Sequence, residues 1–107
     1  MQDARSEHYI APMTVNFLID GMLSGTGVRD GINGGYVEPQ DARFSEQLSS
    51  EIAAWQQRYE TAHFAGFPEE IVGALDDEGI KLTSKANGEL GGHAIGYYSH
   101  GRMKRLV

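Results

Sequence analysis

No cysteine occurs among the 107 residues. No disulfide therefore closes a loop, and no thiolate serves as nucleophile or metal ligand. No apolar run approaches the ~18 residues that a membrane span requires. Positive charge is scarce: nine Lys and Arg stand against fifteen Asp and Glu, a formal net of −6. That balance repels polyanions and excludes nucleic acid as the expected partner. The N-terminal stretch "MQDARSEHYIAPM" carries Asp3 and Glu7 and no continuous apolar segment, so it does not read as a signal peptide. Together these absences predict a cytoplasmic protein that uses neither membrane nor nucleic acid.

What is present suits one globular domain. The length falls in the single-domain range, and four Phe, five Tyr and one Trp supply bulk for a core. Residues 1–12 read as an N-terminal extension, and 13–107 as a single α+β domain. Val15, Phe17 and Ile19 alternate with Thr14, Asn16 and Leu18, the period of a strand, predicted over 14–20. "HAIGYYSH" predicts a second strand over 93–99, with Ile95 and Tyr97 on one face and Tyr98 on the other. The two strands are expected to be neighbours in a small sheet. "GRMKRLV" then continues the strand or returns as a short arm.

The clearest helix spans about 45–62. Ser45 is its N-cap, and Glu46 places an acid on the first turn, where the helix dipole favours it. Leu48, Ile52, Trp55 and Tyr59 form one apolar stripe. The segment after Pro68 is less regular. Gly73 and Gly79 each weaken a helix interior by up to about 1 kcal/mol. The reading is therefore a short helical turn near 68–75 and a separate helix over 77–90. Asp76 or Asp77 would cap that second helix, which would bury Ile80, Thr83 and Leu90. Gly91 and Gly92 would stop it.

"DGMLSGTGVRDGINGG", residues 20–35, holds six glycines after a strand. A dinucleotide loop opens directly into a helix whose N–H groups meet the phosphates. Here Gly34, Gly35 and Pro39 follow instead, and no Gly-Lys-Ser/Thr is present. The stretch reads as a mobile surface loop, or one ordered by a partner. His8, His63, His93 and His100 lack ligand spacing, so no metal is expected. His63 would meet the carbonyls at its own helix end, and His100 would join Ser99 and Arg102 in a polar cluster. The contiguous Asp76-Asp77-Glu78 does not alternate as a calcium loop requires. With no nucleophile elbow and no catalytic cluster, neither catalytic residues nor a cofactor are assigned.

Charge is unevenly placed. Residues 38–89 hold eleven acids and four bases, a net of −7, whereas residues 90–107 hold Arg102, Lys104, Arg105 and no acid. The motifs "FSEQLSSEIAAWQQRYE" and "DDEGIKLTSKANGELGGHAIGYY" then carry a resemblance. Ser45, Leu48, Trp55, Tyr59, Glu60, Glu78, Gly79 and Tyr98 match the pattern L-S-x-x-L…W…Y-[DE]…E-G…L…Y of a group of small bacterial proteins. The likeness covers about residues 14–98. Some of those proteins sit beside toxin genes as candidate immunity or antitoxin proteins. Such relatives often carry an aromatic after the Ser24-Gly25 pair, where this chain has Thr26 and Gly27. The resemblance implies a non-enzymatic, acidic inhibitor that binds a basic protein, such as a toxin domain. The acids Glu38, Asp41, Asp76 and Asp77 are the candidate contacts, joined by Tyr98 as an outward ring near Arg102. The alternative is a small ligand-binding or enzymatic domain using residues 21–35, with Asp20, Arg29 and Asp30 as the nearby titratable groups.

Overall fold

The computed structural model describes residues 17–90 and 95–107. The extension 1–12, the start of the 14–20 strand and the expected stop at Gly91 and Gly92 lie outside the described residues. The fold is α+β. In chain order the elements are β1 (Phe17–Asp20), β2 (Val28–Asp30), α1 (Glu46–Phe64), α2 (Glu69–Glu89), β3 (Ile95–Ser99) and β4 (Lys104–Arg105). One mixed sheet has the order β2-β1-β3-β4. The two expected strands are indeed adjacent: β1 and β3 run parallel, with Ile19 opposite Tyr97 and Asp20 opposite Tyr98. β2 and β4 flank them antiparallel. The final segment therefore turns back on β3 rather than extending it.

Helix α1 forms as its sequence dictates. Ser45 Oγ accepts the Leu48 N–H at 3.1 Å, satisfying one of the amides a helix start leaves open. Leu48, Ile52, Trp55 and Tyr59 are all buried. Trp55 lies at the centre, with ring centroids 5.4 Å from Tyr59 and 5.8 Å from Tyr97. Its indole N–H donates to the Leu75 carbonyl at 2.8 Å, so the single tryptophan joins both helices and the sheet.

Helix α2 corrects the sequence reading. It is one continuous helix of 21 residues, not a turn followed by a second helix. Asp76 lies in its interior, not at a cap. The reason is packing at Gly79. A Cβ there would overlap the Tyr97 ring, so the glycine lets α2 lie directly on β3. The contact formed by that close approach outweighs the helix cost of about 1 kcal/mol. The buried stripe is Val72, Leu75, Asp76, Gly79, Leu82, Thr83 and Ala86. Thr83 is buried as expected, while Ile80 and Leu90 are only half-buried.

The glycine-rich stretch is also different from a single loop. It divides into a turn, strand β2 and a second turn. Asp20 accepts the Met22 N–H at 2.8 Å, and Asp30 accepts those of Ile32 and Asn33 at 2.8 and 2.9 Å. Each aspartate thus builds the turn that follows its strand. Gly27 has φ +93°, and a Cβ there would meet Ile52 of α1. Its absence allows the first turn to lie against that helix.

Candidate functional site

Two aspartates that the sequence places in different contexts are enclosed by the fold. Asp20, at the carboxyl end of β1, has no exposed surface. Its Oδ2 accepts from Arg29 Nε at 2.8 Å and from the Tyr36 hydroxyl at 3.3 Å. Its Oδ1 lies 2.7 Å from His100 Nε2, close in distance but not aligned with a ring N–H direction. Burial raises the Asp20 carboxyl, yet His100, Arg29 and the Met22 amide together hold it below its ordinary value of 3.8. Burial and the neighbouring carboxylate push the Tyr36 phenol up to about 12. The group is neutralised internally, as a buried charge must be.

Asp76 is the second. Tyr97 and Tyr59 donate their hydroxyls to Oδ1 at 2.6 and 2.9 Å. Ser99 donates to Oδ2 at 2.7 Å, and Arg102 Nε approaches it at 3.2 Å. This overturns the assignment of Asp76 as a partner contact: its residue surface is 3% exposed, and its lone pairs are committed inside the fold. The Gly101 N–H donates to Tyr59 and the Arg102 N–H to Ser99. The carboxylate therefore anchors the turn from β3 to β4. Burial, followed by Asp76 and Tyr59, raises the Tyr97 phenol strongly.

The remaining sequence candidates separate. Glu38 and Asp41 are exposed on the turn before α1, whose N–H groups at Asp41 and Ala42 bond the Glu38 carbonyl. Asp77 is exposed, one position from the enclosed Asp76. Tyr98 is half-buried under Arg29, whose guanidinium carbon is 5.1 Å from the ring centroid. Arg29, not Arg102, is thus its cationic neighbour. The fold does not bring these residues to one place. His63 bonds the Gly21 carbonyl at 3.0 Å, not its own helix end. His100 turns to Asp20, while Ser99 and Arg102 turn to Asp76.

Glu38 does line a surface groove of about 640 Å³. Gly25 and Thr26 of the first turn form one wall, and the first turns of α1 supply Glu46, Ser49 and Ser50. Phe44 and Ala53 add apolar surface. Among the described residues its lining contains two carboxylates and no basic side chain. Its first wall is held by α1: Gln56 donates to the Met22 carbonyl at 2.7 Å, and Glu60 accepts the Ser24 N–H at 2.6 Å. Sequence periodicity marked Glu46 only as a favourable first-turn acid and did not single out Gln56. That Gln56 is buried among apolar stripe residues was the missed signal.

Among the described residues no group of three or more His, Asp or Glu side chains is placed to hold a metal ion. Nor is any described helix long and apolar enough to cross a membrane. Comparison with protein-family models, curated proteins and solved structures gives no match.

Proposed function

We propose that the protein is an acidic, non-enzymatic inhibitor of the immunity or antitoxin kind, which neutralises a basic protein toxin by direct binding. One observation carries the reading. Glu38, Asp41, Glu46, Glu69, Glu70 and Asp77 are exposed and have no side-chain ion pair or hydrogen bond among the described residues. By contrast, Asp20, Glu51, Asp76 and Glu78 all have basic partners. The acids not used to hold the fold are thus the ones presented to solvent. Complementary charge of this kind raises association rate and excludes partners of like sign. The test is growth protection of cells that express a candidate toxin from a neighbouring gene, with affinity measured at two salt concentrations. The reading requires protection, and association that slows as salt rises. Failure to protect, with no binding at low salt, removes it.

A second reading, a small ligand-binding or enzymatic domain, is favoured by the approach of Asp20 and His100. They meet at the carboxyl ends of the parallel pair β1 and β3, where open α/β sheets bind ligands. A thermal-shift screen with nucleotides tests it, since a ligand bound only by the folded state raises stability.

A further inference from the structure

We infer that the groove between the 22–26 turn and the start of α1 accepts an arginine side chain on an extended segment of the basic partner. The inference rests on the reading of an acidic inhibitor and names where and what it binds. Three features of the groove point the same way.

The first is its charge. Glu38 and Glu46 contribute two carboxylates, and among the described residues none that lines it is basic. A cation entering the groove is attracted by both carboxylates. The second is its supply of neutral acceptors. Ser50, Gln40 and Gln57 line it, and each carries an oxygen that accepts a hydrogen bond.

The third feature separates arginine from lysine. The groove is not uniformly polar, since Phe44, Pro39 and Ala53 also line it. A guanidinium is planar, weakly hydrated and carries five N–H donors, so it accepts apolar contact on its face while its edge reaches several acceptors. An ammonium has three donors and a stronger hydration shell, which apolar lining does not replace. At about 640 Å³ the groove lies within the roughly 300–1,000 Å³ of ligand-sized clefts. It has room for the side chain and part of the backbone that carries it.

The wall formed by the 22–26 turn is firmly placed. Gln56 and Glu60 tie the Met22–Ser24 backbone to α1, and the Gly25 N–H closes the turn on the Met22 carbonyl at 2.9 Å. A site that is formed before binding avoids part of the ordering cost of association.

The experiment uses the whole protein and four fluorescent dodecapeptides of Gly and Ser with three evenly spaced Arg, Lys, citrulline or Glu residues. Amide NMR shifts locate binding, and anisotropy gives affinity. The Arg peptide is expected to shift Gly25, Thr26, Ser49 and Ser50. It should bind at least several-fold more tightly than the Lys peptide, while citrulline and Glu peptides give no saturable binding. The double variant Glu38→Gln/Glu46→Gln should weaken the Arg peptide at least tenfold. The triple variant Glu69→Gln/Glu70→Gln/Asp77→Asn should change it less than threefold. Equal Lys and Arg affinities, shifts confined to residues outside the groove, or an unaffected double variant each overturn the inference. Amide spectra of the variants show whether they remain folded. If they do not, the unmodified protein's shift map and the Arg-against-Lys comparison decide alone. The two readings part cleanly. Growth protection that survives the double variant removes the groove and leaves the inhibitor. An Arg peptide seated in the groove of a protein that gives no protection leaves the groove and removes the inhibitor.

Discussion

Replacing Gly79 by alanine sets two effects of opposite sign against each other. In a solvent-exposed helix interior, glycine to alanine gains about 0.5–1 kcal/mol, because alanine restricts the unfolded chain and favours the helix. At Gly79 the new Cβ would overlap Cε1 and Cζ of Tyr97. That ring cannot easily retreat: its hydroxyl donates to Asp76 at 2.6 Å, and its other side faces Trp55 at a centroid distance of 5.8 Å. Either α2 lifts from β3 or the Tyr97–Asp76 bond lengthens. Overpacking of this kind costs roughly 1–3 kcal/mol, so the net expectation is a loss of about 1–2 kcal/mol. Gly73 supplies the control on the same helix. A Cβ there meets only Arg102 Nη2, at 3.7 Å, which is ordinary contact. Gly73→Ala should therefore gain the propensity term. With roughly 4–8 °C per kcal/mol for a domain near this size, the two variants should move Tm in opposite directions by several degrees. Urea unfolding followed by circular dichroism and by Trp55 fluorescence supplies the free energies. If Gly79→Ala stabilises as much as Gly73→Ala, α2 does not lie on β3 at this point, and the packing argument for a continuous helix fails.

Trp55→Ala should cost roughly 3–5 kcal/mol in the same unfolding assay, the range for a buried aromatic; a loss below about 1 kcal/mol would place the ring on the surface. Asp76→Asn should destabilise by roughly 1–3 kcal/mol, since an amide NH2 among the Tyr59, Tyr97, Ser99 and Arg102 donors leaves buried hydroxyls without an acceptor, whereas Asp77→Asn should stay within about 0.5 kcal/mol. Equal effects at the two positions would contradict their opposite burial. The Asp20 carboxyl is held below 3.8 in the folded state, so its contribution is complete above that value and disappears as pH falls through the lower folded one. Acid unfolding of Asp20→Asn should accordingly show a shallower loss of stability below about pH 4 than the parent protein, from a lower starting stability; parallel curves would show that Asp20 is not linked to folding.

Much of the framework was legible because local and global signals agree. In α1 the cap at Ser45, the Glu46 charge and the Leu48–Ile52–Trp55–Tyr59 stripe all point to one helix. The pairing of β1 with β3 followed from two alternating apolar segments that needed a common layer. The failures share a cause: tertiary contact decided them. Gly79 reads as a helix breaker along the chain, but across the layer it makes room for Tyr97. Asp76 reads as a surface acid until four groups from α1, β3 and the following turn converge on it. The glycine-rich stretch reads as a loop because β2 is only three residues long. It pairs through Val28, Arg29 and Asp30, a segment with one apolar residue and no visible alternation. Within the candidate groove, Glu38 was legible from charge, while the meeting of Gly25 and Thr26 with Ser49 and Ser50 depends on how the first turn packs on α1.

Charge counted along the chain differs from charge presented in space, and the difference bears on the partner. The basic segment after residue 90 looks like a free cationic arm when set against the acidic middle. Arg102 instead reaches back to Asp76, and Arg105 Nε donates to the Val107 carbonyl. Among the described residues, Arg29 goes to Asp20, and Arg58 and Lys85 go to Glu78 and Glu51 across the two helices. Four of the bases are thereby set beside acids, and such close pairs produce little field at a distance. The pairs across α1 and α2 are exposed and individually weak in stabilising the fold. Their greater effect is to make that flank nearly neutral. Among the described residues, the exposed acids with neither an ion pair nor a side-chain hydrogen bond lie in two places: the turn and helix start at Glu38, Asp41 and Glu46, and on α2 at Glu69, Glu70 and Asp77. The first borders a groove whose wall is held against α1 and whose lining offers neutral acceptors. A partner guided by net charge alone would use either region with similar effect. A partner that must also be held after the encounter needs directional contacts, because steering sets the association rate while short-range fit sets dissociation. The 38–46 region offers both, which is why selectivity for arginine over lysine, and not salt dependence alone, is the discriminating measurement.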